Sequence, residues 1–258
     1  SRPVEPFFRL SDEAAKLRLL AATGLDGVLV LPFDAALAEQ TAEDFVAHLL
    51  VERLAVAGAV VGFDFHFGRA RRGSPTFLRK QGERFGFTVA IAPPFQQEGR
   101  PVSSSGIRAL LAEGRVEDAA MLLGHPWFVS GPVVHGDKRG RDLGFPTANM
   151  RLAPDCGLRH GIYAVRVGLG EELYDGGASF GRRPTFDNGP PLLETFLFGF
   201  NGSLYDKMLD VAFVGWIRPE LPFASVDALV ARIRVDAAEA QVVLAAAPAA
   251  FPALGALG

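Results

Sequence analysis

The chain has 258 residues, enough for one large domain or two ordinary ones, with 49% hydrophobic residues, 21% charged residues and a formal net charge of −3. This composition excludes an intrinsically disordered protein, and the near-balanced charge excludes a strongly basic nucleic-acid-binding domain. The single cysteine excludes an internal disulfide and a CxxC zinc site, so a reducing compartment is the default.

The first half alternates short apolar runs with helical patterns. Ser11, Asp12 and Glu13 predict the start of a helix that ends at Gly24. Residues 28–31 predict a buried strand, and Thr41 predicts the N-cap of a helix to about Arg53. Later predicted elements are a buried strand at 59–61, a helix at 78–85, a strand at 87–91, and two short helices within 107–123 that are split at Gly114. Alternation of this kind is typical of a parallel α/β sheet with right-handed crossovers.

In the second half the pattern of hydrophobic residues changes to a period of two. Strands are predicted at 162–167, 192–200 and 208–216, and Gly and Pro residues separate them, which indicates a small antiparallel barrel or sandwich. In the last of these strands Leu209, Val211 and Phe213 share one face. Ser225 predicts the N-cap of a final helix to about Ala246. Because the hydrophobic pattern changes near Gly124, we predict one domain at residues 1–125 and a second at residues 126–258.

A glycine-rich basic segment carries the strongest chemical signal. Residues 135–149 read HGDKRGRDLGFPTAN, with glycines at Gly136, Gly140 and Gly144 and a lysine at Lys138. Glycines let backbone N–H groups approach phosphate oxygens, and the cations add favourable charge. A solvated basic hairpin turn fits the composition equally well. The segment is not a Walker A loop, because GxxxxGK[ST] is absent.

Two oxygen-bearing side chains close this segment. Thr147 and Asn149 lie two residues apart on a predicted extended stretch, so they point the same way. Hard oxygen ligands suit Mg²⁺, which would bridge nucleotide phosphates. This pair therefore favours the phosphate-binding interpretation of the segment.

Glu194 lies on an otherwise aromatic strand face. At a period of two it shares that face with Phe196, Phe198 and Phe200. Because an unpaired buried charge is costly, the carboxylate needs a reason to be there. One hypothesis is a general base aimed at a hydroxyl beside a flat aromatic ligand. The alternative is a strand-end glutamate that reaches solvent or an arginine.

Two further groups lie in the first half. Asp64, Phe65, Phe67 and Gly68 follow a predicted parallel strand, at the edge where open α/β sheets bind ligands, although an ordinary core edge would look much the same. A hydroxyl-rich helix N-terminus with a nearby arginine suits a phosphate, and a plain serine cap is the alternative. Its residues are Ser103, Ser104, Ser105 and Arg108.

These motifs together resemble the prokaryotic bifunctional riboflavin kinase/FMN adenylyltransferase (FAD synthetase) family over nearly the whole chain. The most specific part runs from Gly131 to Asn149 and is similar to the family pattern G-x-V-x-H-G-x-x-x-G-x-x-L-G-F-P-T-A-N. Later segments follow in family order: GIYAV at 161–165, GRRPTF at 181–186, LET at 193–195 and IRPE at 217–220.

For the second domain, the resemblance implies an antiparallel Greek-key β-barrel kinase domain with a C-terminal helix, which transfers the γ-phosphate of ATP to the terminal ribityl hydroxyl of riboflavin. Glu194 would activate that hydroxyl, and Arg218 would sit on a loop near the flavin. The nucleotide-binding residues that the resemblance implies are Gly136, Lys138 and Gly140 in the phosphate-covering loop, with Thr147 and Asn149 at the Mg²⁺–nucleotide site.

For the first domain, the resemblance implies an α/β Rossmann-like nucleotidyltransferase domain that attaches AMP to FMN and releases pyrophosphate. Its implied site residues are Asp64, Phe65, Phe67, Gly68, Ser103, Ser104, Ser105 and Arg108. The family commonly has Thr and then Arg or a similar residue where this chain has Ser105 and Gly106. Those changes weaken the match at this site.

The family motif G-N-F-D-G-V-H-x-G-H is not in these 258 residues, so the first domain is expected to lack its first strand and helix. Without that segment adenylylation should fail, whereas with it the native protein is bifunctional. We favour the bifunctional protein, because a free-standing kinase would not need residues 1–125. The alternatives are a kinase with a degenerate first domain and a non-catalytic flavin-binding barrel.

The implied cofactor is Mg²⁺, with ATP as co-substrate and riboflavin and FMN as substrates. The partners are therefore small molecules, with no nucleic acid. The longest apolar run, from Val242 to Gly258, contains two prolines and makes a poor spanning helix, so no membrane is expected and the location is cytoplasmic. A homo-oligomer is left open.

Overall fold

The computed structural model describes residues 8–97, 99–135, 145–181 and 191–256. It divides into two compact units. One unit comprises Leu29–Val102, and the other, here called the barrel unit, contains the residues up to Val28 together with those from Ser103 onward. The predicted domain boundary near residue 125 stays a prediction.

The Leu29–Val102 unit is built on one parallel strand pair. Its helices are α2 (Ala35–Glu39), α3 (Ala42–Asp44), which continues as a π-helical segment (Phe45–Arg53), a 3₁₀ turn (Arg69–Arg71) and α4 (Pro75–Phe85). Its strands are β1 (Gly58–Gly62), β2 (Thr88–Ala92), β3 (Gln96–Gln97) and β4 (Arg100–Pro101). β1 and β2 pair in parallel with α4 between them, which confirms the predicted strand–helix–strand unit. Its core is the cluster Ala42, Val46, Phe67, Leu78 and Phe87.

The predicted strand at 28–31 is wrong. These residues form no regular structure, and Leu29 is 58% exposed. A continuous run of apolar residues becomes a strand only where another strand offers its edge, and none of the described strands pairs with residues 28–31. The strand at 59–61 exists but is buried on one face only, because Val60 is 78% exposed while Ala59 and Val61 contact the core cluster.

Among its described residues, the barrel unit has three helices before its sheet and one after it. Its helices are α1 (Glu13–Ala21), α5 (Ser104–Glu113), α6 (Val116–Leu123) and α7 (Val226–Ala246). Gly114 separates α5 from α6 with φ at +79°, a left-handed conformation that favours glycine, as the sequence predicted. Four of the helix starts that the sequence predicted are capped by a side chain that accepts a hydrogen bond from a backbone N–H group. These N-cap residues are Asp12, Thr41, Ser103 and Ser225. Among the described residues, no helix is both long enough and apolar enough to cross a membrane.

Six antiparallel strands form a near-closed barrel. They are β5 (Phe128–Pro132), β6 (Ala148–Arg151), β7 (Gly161–Leu169), β8 (Glu172–Gly181), β9 (Leu192–Leu197) and β10 (Met208–Arg218). Their order is β5-β10-β7-β8-β9-β6, in which β10-β7-β8-β9 is the Greek-key arrangement. A bridge between Val134, just after β5, and Asn149 of β6 brings the two edges together. The barrel, rather than the sandwich, is therefore the correct alternative.

The long helix α7 packs against the outside of the barrel. Ala240 and Leu244 of α7 form a buried cluster with Ala164 and Val214. Arg166, only 9% exposed, donates to the carbonyl oxygens of Leu244, Ala247, Pro248 and Ala250, which helps satisfy the carbonyl groups left open at a helix C-terminus. The final helix ends at Ala246, as predicted.

Candidate active site

A cavity of about 250 Å³ opens at the end of the barrel where β9 ends and β6 begins. It is lined by Val133, Pro146, Thr147, Ala148, Asn149, Leu197, Phe200, Asn201, Gly202, Ser203, Leu204 and Tyr205. Both predicted metal ligands, Thr147 and Asn149, therefore line the same cavity. The lining combines apolar side chains with hydroxyl and amide groups, as small-molecule sites commonly do.

Asn149 is a buried polar side chain with an unsatisfied atom. It is 6% exposed, and its Oδ1 has no hydrogen-bond partner among the described residues. A buried oxygen without a partner costs free energy, and a ligand that binds there is one explanation for such an atom. Asn149 therefore presents a hard oxygen that a ligand or cation can use.

The register of the sheet places the predicted base beside this oxygen. Asn149 pairs directly with Glu194 across β6 and β9, and Glu194 pairs directly with Ser179 across β9 and β8. The row continues from Ser179 to Ile162 and from Ile162 to Arg218. Directly opposed residues of antiparallel strands share a face, so these five side chains, here called the catalytic row, lie on one face of the sheet.

The aromatic face predicted around Glu194 is shorter than expected. β9 ends at Leu197, and Gly199 then turns the chain with φ at +70°. Phe196 stays on the Glu194 face, where its ring contacts Phe145 at 5.3 Å between ring centroids. Phe198 lies beyond the end of the strand; its ring contacts Phe196 at 5.8 Å between ring centroids and packs against the cluster beneath α7, and Phe200 lines the cavity. The prediction that the strand extends to residue 200 was therefore wrong, because the period-two pattern carries no signal for the turn at Gly199.

The phosphate-covering loop lies outside the described residues, and so do the predicted nucleotide-binding residues Gly136, Lys138 and Gly140. Just before this loop, the ring of His135 stacks on Tyr205, with 4.3 Å between the ring centroids and 21° between the ring planes. Tyr205 belongs to the cavity lining. Sequence reasoning missed Tyr205 and its neighbours because residues 201–205 carry only turn signals.

The resemblance implied that Arg218 sits on a loop, but the structure places it on a strand. It is the last residue of β10, and its guanidinium donates to the carboxylate of Asp236 on α7 through Nε at 2.8 Å and Nη2 at 2.6 Å. Both side chains are at most 10% exposed. Its Nη1 donates to the carbonyl of Pro219. The guanidinium thus ties β10 to α7, and its predicted role beside a flavin stays a prediction.

The phenylalanines at 65 and 67 belong to the core of the Leu29–Val102 unit. Phe67 is 7% exposed and stacks with Phe65 at 5.3 Å between ring centroids. Gly68 has φ at +71°, and a Cβ built there would lie 2.6 Å from the backbone nitrogen of Ala42, so only glycine fits. Asp64 lies in the turn after β1. These placements show structural roles, and the predicted ligand-binding roles are not tested.

The serine-rich helix start lies in the barrel unit. Ser103 caps α5 by accepting from the backbone N–H of Gly106 at 3.1 Å, while Ser104 and Ser105 occupy the exposed first turn. Nε of Arg108 donates to the carbonyl of Phe8 at 2.5 Å. The cap predicted as the plain alternative is thus present, and a phosphate-binding role at this helix start stays a prediction.

Comparison with known proteins identifies the family. The bifunctional riboflavin kinase/FMN adenylyltransferase of Escherichia coli (strain K12) is 42% identical over 229 residues, which cover 88% of this chain and 73% of that protein. The chain belongs to this family. The Pseudomonas fluorescens relative of the same name is 40% identical over 251 residues, covering 95% of this chain and 80% of its own length. The relative from Haemophilus influenzae is 39% identical over 243 residues, covering 92% and 79%.

Two family models agree with this membership, and a solved structure shares the fold. The riboflavin kinase model matches residues 123–244, and the FAD synthetase model matches residues 2–106. A crystal structure described as a macrolide-efflux protein from Streptococcus pneumoniae superposes with a TM-score of 0.77 at 32% identity, covering 90% of this chain and 77% of that one. The resemblance drawn from the motifs is therefore confirmed, and so is the pairing of a FAD synthetase domain with a flavokinase barrel and C-terminal helix.

Proposed function

We propose that this chain transfers the γ-phosphate of ATP to the terminal hydroxyl of riboflavin, giving FMN, and that the native protein, with the first strand and helix of its first domain present, then transfers AMP from a second ATP to FMN, giving FAD and pyrophosphate. One observation carries the kinase assignment. Glu194 is directly opposite Asn149, whose buried Oδ1 has no described partner and which lines the cavity. Both family models and the names of the relatives support the two activities.

The residues present fit a magnesium ion. Asn149 offers an unsatisfied amide oxygen, and Thr147 offers a hydroxyl in the same cavity lining. Mg²⁺ takes few protein ligands of this hard-oxygen type and completes its shell with water and substrate phosphates. Thr147 and Asn149 would hold the ion there. When bound, the ion neutralises charge on the transferring phosphoryl group.

The chain's own residues supply positioning and proton transfer. Nucleotide phosphates in the cavity would lie beside Asn149, and the acceptor hydroxyl would lie on the Glu194 side of the catalytic row. As the hydroxyl oxygen bonds to the γ-phosphorus, the bond to the β–γ bridging oxygen breaks, ADP leaves, and Glu194 takes the hydroxyl proton. Phosphoryl transfer depends mainly on such alignment and on charge stabilisation.

The finer assignments for the first domain belong to this proposal. We take residues 1–125 as the Rossmann-like nucleotidyltransferase domain and 126–258 as the kinase domain. The parallel β1–α4–β2 unit supports the first of these. The adenylyltransferase residues remain those implied by the resemblance: Asp64, Phe65, Phe67, Gly68, Ser103, Ser104, Ser105 and Arg108.

A flavin product assay tests both activities. The full-length protein, with the G-N-F-D-G-V-H-x-G-H segment present, is incubated with riboflavin, ATP and Mg²⁺, and the products are separated by chromatography, with a parallel incubation that starts from FMN. Formation of FMN followed by FAD supports the full proposal. FMN that never proceeds to FAD, in both incubations, contradicts the adenylylation. Flavin binding without turnover contradicts both activities and favours a non-catalytic flavin-binding barrel.

A further inference from the structure

Glu220 folds back onto the end of β8. It lies two residues beyond β10, and a Cβ built on Gly181, the last residue of β8, would lie 2.1 Å from Oε1 and 2.7 Å from Oε2 of Glu220. Any side chain at position 181 would overlap these oxygens. The carboxylate therefore occupies the space that the absent Cβ of Gly181 leaves.

This position puts Glu220 on the same face as the catalytic row. Gly181 and Ser179 are two residues apart on β8, so the Cβ direction at Gly181 matches that of Ser179. Ser179 is directly opposite Glu194, and Gly181 is directly opposite Leu192. The carboxylate in front of Gly181 thus lies one diagonal step from Glu194, where side chains are roughly 7–8 Å apart.

Two carboxylates on one face repel each other, and folding alone does not explain the arrangement. Burial raises the pKa of the Glu220 carboxyl above its usual value; His160 and Arg218 oppose that shift, and the charge of Glu194 adds to it. Within the described ranges Glu220 makes no hydrogen bond or ion pair, because the Arg218 guanidinium is directed at Asp236. The acceptor oxygens of Glu220 are therefore available to a ligand.

The unsatisfied Oδ1 of Asn149 lies on the same row and independently indicates a ligand on this face. We propose that Glu220 is a further substrate-contacting residue of the kinase site, which accepts a hydrogen bond from an internal hydroxyl of the acceptor's polyol chain while Glu194 takes the proton of its terminal hydroxyl. This inference rests on the proposed kinase function. Riboflavin carries several hydroxyl donors along its ribityl chain, so two acceptors one diagonal step apart, Glu194 and Glu220, would align that chain.

Two phosphoryl acceptors that differ only in the internal hydroxyls of the side chain test the proposed role of Glu220. One is riboflavin, and the other is the same flavin with a 5-hydroxypentyl chain, which keeps the terminal hydroxyl and lacks the internal ones. In Glu220→Gln we expect kcat/KM for riboflavin to fall about tenfold, because a charge-assisted hydrogen bond becomes a neutral one. We expect kcat/KM for the hydroxypentyl flavin, and KM for ATP, to stay unchanged.

Glu172→Gln, at the opposite end of β8, is the matched control and should turn over both flavins like the unaltered chain. The hydroxypentyl flavin also controls for folding, since a misfolded variant would lose activity toward both acceptors. Unchanged kcat/KM for riboflavin in Glu220→Gln, or an equal fall for both flavins, overturns the proposal. Absence of turnover of either flavin by the unaltered chain is a different result: it refutes the kinase function, and the role of Glu220 with it.

Discussion

The guanidinium of Arg218 and the carboxylate of Asp236 form a two-point pair, Nε to Oδ1 at 2.8 Å and Nη2 to Oδ2 at 2.6 Å, with both side chains almost fully buried. The pair joins the end of β10 to the middle of α7. Arg232 contacts the same carboxylate from the next turn of α7, but it is 30% exposed. The Asp236 carboxylate therefore pairs with one buried cation, Arg218, and with one partly exposed cation, Arg232.

Removal of the shared carboxylate should destabilise the barrel unit strongly. In Asp236→Ala the Arg218 guanidinium is left buried and unpaired, which costs about 3–5 kcal/mol of the free energy of unfolding. Arg232→Ala on the same carboxylate should cost about 1 kcal/mol or less, because its cation is partly solvated. Denaturant titration of both variants measures the difference. Equal losses would contradict a dominant role for the buried pair.

Loss of the base should separate the two activities. Glu194→Gln keeps the shape of the side chain and removes its proton acceptor, so kinase kcat should fall about 10²–10⁴-fold. In the full-length protein, conversion of supplied FMN to FAD by the same variant should be unaffected, which makes it an internal control for folding. Riboflavin phosphorylation at the original rate in this variant would remove Glu194 from the mechanism.

The oxygens of the cavity should be needed for nucleotide binding and not for folding. Thr147→Val removes a hydroxyl from the cavity lining, and we expect it to abolish Mg-ADP binding in calorimetry. Asn149→Leu should also abolish that binding, yet leave the free energy of unfolding equal or higher, because it deletes an unsatisfied buried oxygen.

Thr195→Val is the matched control for these variants. The hydroxyl of Thr195 is likewise buried without a described partner, but its side chain lies on the opposite face of β9 from Glu194. We expect this variant to be equally or more stable and to bind Mg-ADP normally. Normal Mg-ADP affinity in Thr147→Val and Asn149→Leu would refute the assignment of these residues.

The single cysteine should react slowly with alkylating agents. Burial raises the pKa of the Cys156 thiol to about 11, so only about one thiol in a thousand is ionised at pH 8. Because the thiolate is the nucleophile, the alkylation rate should be roughly a hundredfold below that of an exposed cysteine with a pKa near 9. The rate should rise about tenfold per pH unit up to pH 11. A plateau near pH 9 would contradict the shift.

Local patterns predicted the helix starts well because their causes are local. A Thr or Ser side chain reaches the N–H group of its own first turn, so Thr41 and Ser225 were identified without knowledge of the fold. The strand at 28–31 was misjudged for the opposite reason. A strand needs a partner edge, and a run of apolar residues does not show whether one is present. A cytoplasmic location and a homo-oligomer also stay predictions of the sequence.

The sequence by itself determined the family, the order of the motifs, the candidate base and the pair of oxygen ligands, because each rests on residue types at short spacing. Only the tertiary structure decided which of them meet. Asn149 and Glu194 are far apart in the chain and become neighbours through the register of β6 on β9. Glu220 reaches their face because Gly181 leaves room for its carboxylate, and Arg218 turns to Asp236. Sheet register and the packing of α7 depend on contacts between distant segments, and a motif read along the chain does not contain them.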